Sequence, residues 1–211
     1  MEFTFKNGEI IYPNKALTVL DELVIEFISR INVKYVIVSG YVAILFGRDR
    51  HTEDVDLFIE KLDEKKFKKF YNAIVVSGNF ECFNAESAED AYNLLTKEKS
   101  SIRFVEKGSI DPNFEVKFPT NRLHLNSLEN AIAVKFDGKT PIKIGPLELQ
   151  LAYKLRLGSD KDYEDAAHLY EIFRDHLDKK KIIDFMTELG IKRSTAETVL
   201  GKDVYEEYEE G

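Results

Sequence analysis

Cysteine is nearly missing from this chain: Cys82 is the only one in 211 residues. An intrachain disulfide is therefore impossible, and a reducing cytoplasm is the expected location. Cys82 lies in "FECFN", among aromatics, and reads as inert packing. Long apolar runs are missing too, so no membrane span is expected. The first fifteen residues, "MEFTFKNGEIIYPNK", lack a basic region followed by an apolar core, so no signal peptide is expected. There is no excess of positive charge. Thirty Lys and Arg against 38 Asp and Glu give a formal net charge of −8, which argues against a generic nucleic-acid coat protein but not against a local basic cleft. No G-x-x-x-x-G-K-[ST] is present, which argues against a P-loop NTPase. The four histidines, His51, His124, His168 and His176, lack the paired spacing of a zinc site and are read as non-ligands.

Apolar residues make up 44% of the chain, enough for a core. Their spacing predicts an amphipathic helix over 14–31, with Leu17, Leu20, Leu23, Val24, Phe27 and Ile28 on one face. "KYVIVSG" reads as a buried strand, "YVAILFG" as a short helix closed by Gly47, and "DVDLFIE" as a second strand. Two helices follow, "DEKKFKKFYNAIVVS" with a basic face and "AESAEDAYNLLTKEK" starting near Ala85 or Glu86. "SIRFVE" and "FEVKF" alternate with period 2 around turn residues, and "AIAVKFDGKTPIKIG" reads as a hairpin at Asp137-Gly138. Beyond Pro146 the pattern turns helical. The expected class is α+β: a small mixed β-sheet with helices in a core domain over 1–145, and a helical C-terminal region over 146–211 that completes the cleft.

One feature breaks the pattern of a buried strand. Asp54 and Asp56 flank Val55. Side chains alternate along a strand, so Val55, Leu57 and Ile59 form the core set, and Asp54, Asp56 and Phe58 share the opposite face. Two like charges side by side are costly unless solvated or bridged by a cation. A hard divalent ion suits such a pair and fills its remaining positions with water and substrate phosphates. Upstream, Ser39-Gly40 ends a strand and opens a helix, where backbone N–H groups favour an anion. An isolated Asp-x-Asp is more often a solvated edge, but here a phosphate cradle and a metal pair arrive together.

The stretch "VIVSGYVAILFGRDRHTEDVDLFIE" resembles the signature of the DNA polymerase β-like nucleotidyltransferase superfamily. Gly47, Arg50, Thr52 and Asp54-Val55-Asp56-Leu57 look most like its minimal prokaryotic branch, which includes AbiEii and MenT type toxins. "LAYKLRLGSDKDYEDAAHL" is similar to that branch's C-terminal motif. The resemblance implies transfer of a nucleoside monophosphate from an NTP to a hydroxyl acceptor, RNA such as tRNA or a protein, with an antitoxin as a further partner. It implies Mg²⁺, with Mn²⁺ as an alternative, on Asp54 and Asp56, with Glu115 as a third acid. Ser39, Gly40, Arg50 and Lys154 would contact the triphosphate, and Asp162 would lie near the reacting hydroxyl or the metal. Two departures stand out. Glu115 occupies a place where the branch usually has Asp, and Ser159-Asp160 stand where it often has Arg. Bland readings sit beside these: Glu115 and Lys117 as a surface pair, Arg50 as an ion-pair partner, and Ser159 with Asp162 as a helix cap. The rival function is a nucleotide-binding regulator or antitoxin-like partner without catalysis.

Overall fold

The computed structural model describes residues 3–6 and 8–205. They pack as two compact units, the described residues of Met1–Tyr41 with His51–Ile144, and those of Val42–Arg50 with Gly145–Gly211. The last six residues of the region expected to be helical, 206–211, lie outside the described residues.

The first unit opens with β1 (Thr4–Lys6) and β2 (Glu9–Ile11), a hairpin for which the alternation gave no expectation. Helix α1 (Val19–Ser29) is shorter than the apolar spacing predicts. Thr18 caps it, accepting from the Asp21 N–H, and the Asp21 carboxylate accepts from the Thr18 N–H in return. This reciprocal capping box fixes the start and leaves 14–17 outside. Next come β3 (Tyr35–Val38), α2 (Gly40–Leu45, which belongs to the second unit from Val42 on), β4 (Asp54–Ile59), α3 (Glu64–Val75, capped by Asp63) and β5 (Phe80–Cys82). Helix α4 (Ala88–Asn93) starts two to three residues later than expected because Ser87 is its cap, and it runs on as a π-helical turn, Leu94–Glu98. The rest are β6 (Ile102–Glu106), β7 (Asn113–Lys117), α5 (Arg122–Glu129), β8 (Ile132–Lys135) and β9 (Ile142–Ile144).

Among the described residues these strands form one mixed sheet of nine, in the order β1-β2-β8-β9-β3-β4-β7-β6-β5. The sheet is larger than the small one expected, because β1, β2 and β5 are only three residues each and carry little periodic signal. Strands β4 and β7 pair in parallel, and β3 pairs antiparallel to β4. One face of the centre is dry. Val55, Leu57, Ile59, Phe114 and Val116 are buried there, and Phe27 of α1 stacks on Phe114 at 3.9 Å between ring centres. Phe67 and Phe70 of α3 are fully buried as well, as the apolar stripe of that helix requires.

The second unit contains α6 (Leu147–Leu157), α7 (Asp160–Phe173), α8 (Lys179–Glu188) and α9 (Arg193–Leu200). Gly158 ends α6 at φ +73, the left-handed conformation that favours glycine at a helix C-terminus, and a Cβ there would also press on the Tyr163 hydroxyl at 3.2 Å. The 42–50 segment joins this unit through the Phe46 ring, edge-on to Phe173 at 4.7 Å, and through the Phe46 carbonyl, 3.0 Å from His168 Nε2. No helix among the described residues is long and apolar enough to cross a membrane.

Candidate active site

The alternation expected in β4 is present. Val55, Leu57 and Ile59 are buried, and Asp54, Asp56 and Phe58 are half-buried on the other face. The register of β7 then decides what stands beside them. Asp54 lies opposite Asn113, Asp56 opposite Glu115, and Phe58 opposite Lys117. All six therefore share one face, and Arg103 joins it because β6 pairs Arg103 with Glu115. From α5, His124 stacks on Phe58 at 4.3 Å, and burial followed by the Lys117 charge pushes its pKa down.

The charges on this face are compensated from within. The Asn113 amide donates to Asp54 Oδ1 at 2.6 Å. Lys117 Nζ lies between two carboxylates, 3.1 Å from Asp56 Oδ1 and 2.7 Å from Glu115 Oε2. Arg103 holds Glu115 Oε1 through Nε at 2.8 Å and Nη2 at 2.6 Å. Burial pushes the Glu115 carboxyl up, but Lys117 and Arg103 outweigh it and hold the group below its ordinary value. Asn113 has a second property. It is 9% exposed, and its side-chain oxygen is buried without a hydrogen-bond partner. Among the described residues, the oxygen is the one buried acceptor of this polar face left without a donor.

Strand β3 brings the expected cradle to the same place. Val38, its last residue, pairs with Asp56, so the chain turns at Ser39-Gly40 alongside the Asp54–Asp56 end of β4. Ser39 adopts φ +68, in the left-handed region that non-glycine residues seldom occupy. Tyr41, fully buried, anchors the corner by donating to Asp21 Oδ1 at 2.7 Å. Asp21 also takes Lys15 and both donors of Thr18. One buried carboxylate thus caps α1 and pins the turn.

Arg50, Lys154 and Asp162 form a separate cluster in the second unit, centred on Asp165. That carboxylate has no exposure and receives Arg50 in two-pronged geometry at 3.0 and 2.9 Å, with Lys154 Nζ at 2.8 Å. Lys154 is 3% exposed and also meets Asp162 Oδ1 at 2.9 Å. Asp162 in turn is bonded by Ser159, the cap of α7. Burial pushes the Asp162 carboxyl up, yet Lys154 and Ser159 outweigh it and leave its pKa lowered. Arg48 pairs with Glu164. The two cations expected on a triphosphate, Arg50 and Lys154, are here both held by carboxylates.

No family model matches the chain, and no curated protein does. A crystal structure of an antigenic nucleotidyltransferase-like protein from Paracoccidioides brasiliensis is similar at a TM-score of 0.48 and 18% identity, over 84% of this chain and 88% of that one. So remote a likeness leaves the chemistry to be argued from the residues.

Sequence reading offered Lys117 as a partner of Glu115 but did not foresee its bond to Asp56, nor Asn113 and Arg103 as partners of the acids, nor Asp165 as a hub. Arg103 lies on a strand whose pairing order was unknown, and Asn113 falls in the stretch expected to be a turn. Cys82 is half-buried in β5, and burial raises its thiol pKa, as fits a packing residue.

Proposed function

We propose that the chain is a metal-dependent nucleotidyltransferase, moving a nucleoside monophosphate from an NTP to a hydroxyl of an RNA such as tRNA or of a protein, with release of pyrophosphate. The observation that carries this reading is the register of β3, β4 and β7. It sets the Ser39-Gly40 corner, Asp54 and Asp56, and the orphaned Asn113 oxygen along one stretch of one polar sheet face. The resemblance to the toxin branch supports the acceptor classes and a toxin–antitoxin setting.

The oxygen donors suit a hard divalent ion, Mg²⁺ or Mn²⁺. Asp54 and Asp56 would hold it, with Asn113 fixing the Asp54 rotamer through its amide. Bound there, the ion would neutralise charge on the transferring phosphate. Among the described residues no group of three His, Cys, Asp or Glu is arranged as a metal site. Glu115 therefore joins the pair only after Lys117 leaves it, and until then it serves as the anchor of Lys117 and Arg103. The N–H groups of the Ser39-Gly40 corner would receive phosphate oxygens, and a glycine there lets them come close. The reading gives Arg50, Lys154 and Asp162 no step beyond the buried network they form.

The test uses the full chain with α-labelled NTPs, Mg²⁺ or Mn²⁺, and total tRNA or a cell lysate. Label should appear on a macromolecule and vanish in Asp54→Ala and Asp56→Ala, while circular dichroism stays unchanged. Full transfer by both variants would refute the mechanism. A second reading, a nucleotide-binding regulator without catalysis, is favoured by Lys117 already neutralising Asp56 and Glu115. It predicts saturable nucleotide binding with no label transferred to any acceptor.

A further inference from the structure

Strand β5 is the last of the sheet, and its far edge has no strand beside it among the described residues. Its pairing with β6 shows which groups are spent. The Phe83 N–H donates to the Arg103 carbonyl at 2.7 Å, and the Asn79 carbonyl accepts from the Lys107 N–H at 2.8 Å. Antiparallel bonding alternates, so the N–H and C=O groups of Phe80 and Cys82 point to the outer edge. An open edge of this kind is a template for another strand.

The edge lines a groove of about 1030 Å³, bounded by the end of α3, the loop after β5, and α4 with its π-helical turn. Phe83 lies in it and is 59% exposed, although it is a large aromatic. The charged residues of the lining are Glu81, Glu86, Asp90 and Glu98 against Lys107, all exposed. The π-helical turn itself is uncommon, and its wide turn presents Leu94 and Glu98 to the groove.

We propose that this groove docks an extended, basic polypeptide segment of a partner, added as a strand to the outer edge of β5. Main-chain bonds to Phe80 and Cys82 would give the register. Glu81 is exposed on β5 and Phe83 follows it by two residues, just past the strand, so the two select a spaced pair on one face of the added strand: a lysine or arginine near Glu81 and, two positions along, an apolar side chain near Phe83. Glu86 and Glu98 add to the preference for positive charge. A nucleic acid would be repelled by the same carboxylates. The proposal stands apart from the metal site and from any transfer activity.

The probe is a blocked hexapeptide of threonines carrying one lysine and, two positions from it, one valine, titrated into the isotope-labelled full chain and followed by amide resonances. Saturable shifts are expected at Phe80, Glu81, Cys82 and Phe83, with slower hydrogen exchange at the Phe80 and Cys82 amides. The double variant Glu81→Lys with Glu86→Lys should weaken binding at least tenfold and leave the remaining resonances in place. N-methylation of one alternate set of peptide amides should abolish binding, whereas methylation of the other set should spare it. Equal binding of the same peptide with glutamate in place of its lysine would overturn the proposal. So would equal behaviour of the two methylated sets, or no shifts at millimolar peptide.

Discussion

Lys117 shows how one residue can hold two meanings at once. Asp56 and Glu115 face each other across parallel strands, an arrangement that repels unless a cation lies between them. Lys117 follows Glu115 by two positions, so the pleat puts it on the same face, and its ammonium fills the gap. Burial alone would push its pKa down, but Asp56 and Glu115 outweigh that and leave it raised. Any divalent ion on Asp56 therefore competes with an internal ammonium. Replacing Lys117 with methionine should tighten Mn²⁺ binding by roughly fivefold, because a half-exposed pair is worth about 1 kcal/mol. Calorimetric titration of Mn²⁺ into the two proteins reads this directly. Unchanged or weaker binding in Lys117→Met would show that the ion does not take the place of the ammonium.

At the scale of elements, α1 and the β3–α2 corner are locked by one carboxylate. Asp21 is 1% exposed and accepts from Thr18, Lys15 and Tyr41. Tyr41→Phe keeps the ring in its core position but leaves a buried carboxylate oxygen without its donor. The expected cost is about 1–3 kcal/mol in urea unfolding, with the Ser39 amide resonance displaced as the corner relaxes. A variant as stable as the parent would mean that the corner does not depend on this bond. What was legible in the sequence follows the same scale. The polar face of Asp54 and Asp56, the hairpin of β8 and β9, and the Ser159 cap rest on neighbours in sequence, and all are present. Helix α5, eight residues long, drew no expectation although Asn121 caps it, and α9 falls within the stretch expected to be helical without being marked off there. The Asp165 hub was out of reach for another reason. Its partner Arg50 is 115 residues away, so spacing shows Asp165 only as one more acid in the first turns of α7. Removing that acid would take from Arg50 both of its bonds to Asp165 and leave Lys154 with Asp162 alone. Asp165→Ala should cost about 3–5 kcal/mol, measured by thermal or urea unfolding, and a loss below 1 kcal/mol would show the hub to be replaceable.

Across the whole molecule, acids outnumber bases by 38 to 30, and most of the carboxylates are solvated on the surface. Stability depends on pH only through groups that bind protons differently folded and unfolded. The linkage comes from groups whose folded pKa is displaced. Asp162 is one, held below its ordinary value of 3.8 because Lys154 and Ser159 outweigh the effect of burial. Its sign follows from proton counting. In the window below 3.8 and above the folded pKa, the unfolded chain has taken up the proton while the folded chain has not. The stabilisation is complete above 3.8 and drains away as pH falls through the folded value. Asp162→Asn removes that titration. Lys154 keeps its Asp165 partner at 2.8 Å, so the buried ammonium is not stranded and the fold should persist. The variant should be less stable than the parent at pH 6, and the gap should narrow as pH drops below 3.8, because the parent alone loses the Asp162 contribution. Urea midpoints taken in steps from pH 6 to pH 2 measure that gap. A constant difference across the series would mean that Asp162 titrates in the folded chain as it does in the unfolded one, and that Lys154 confers nothing on it.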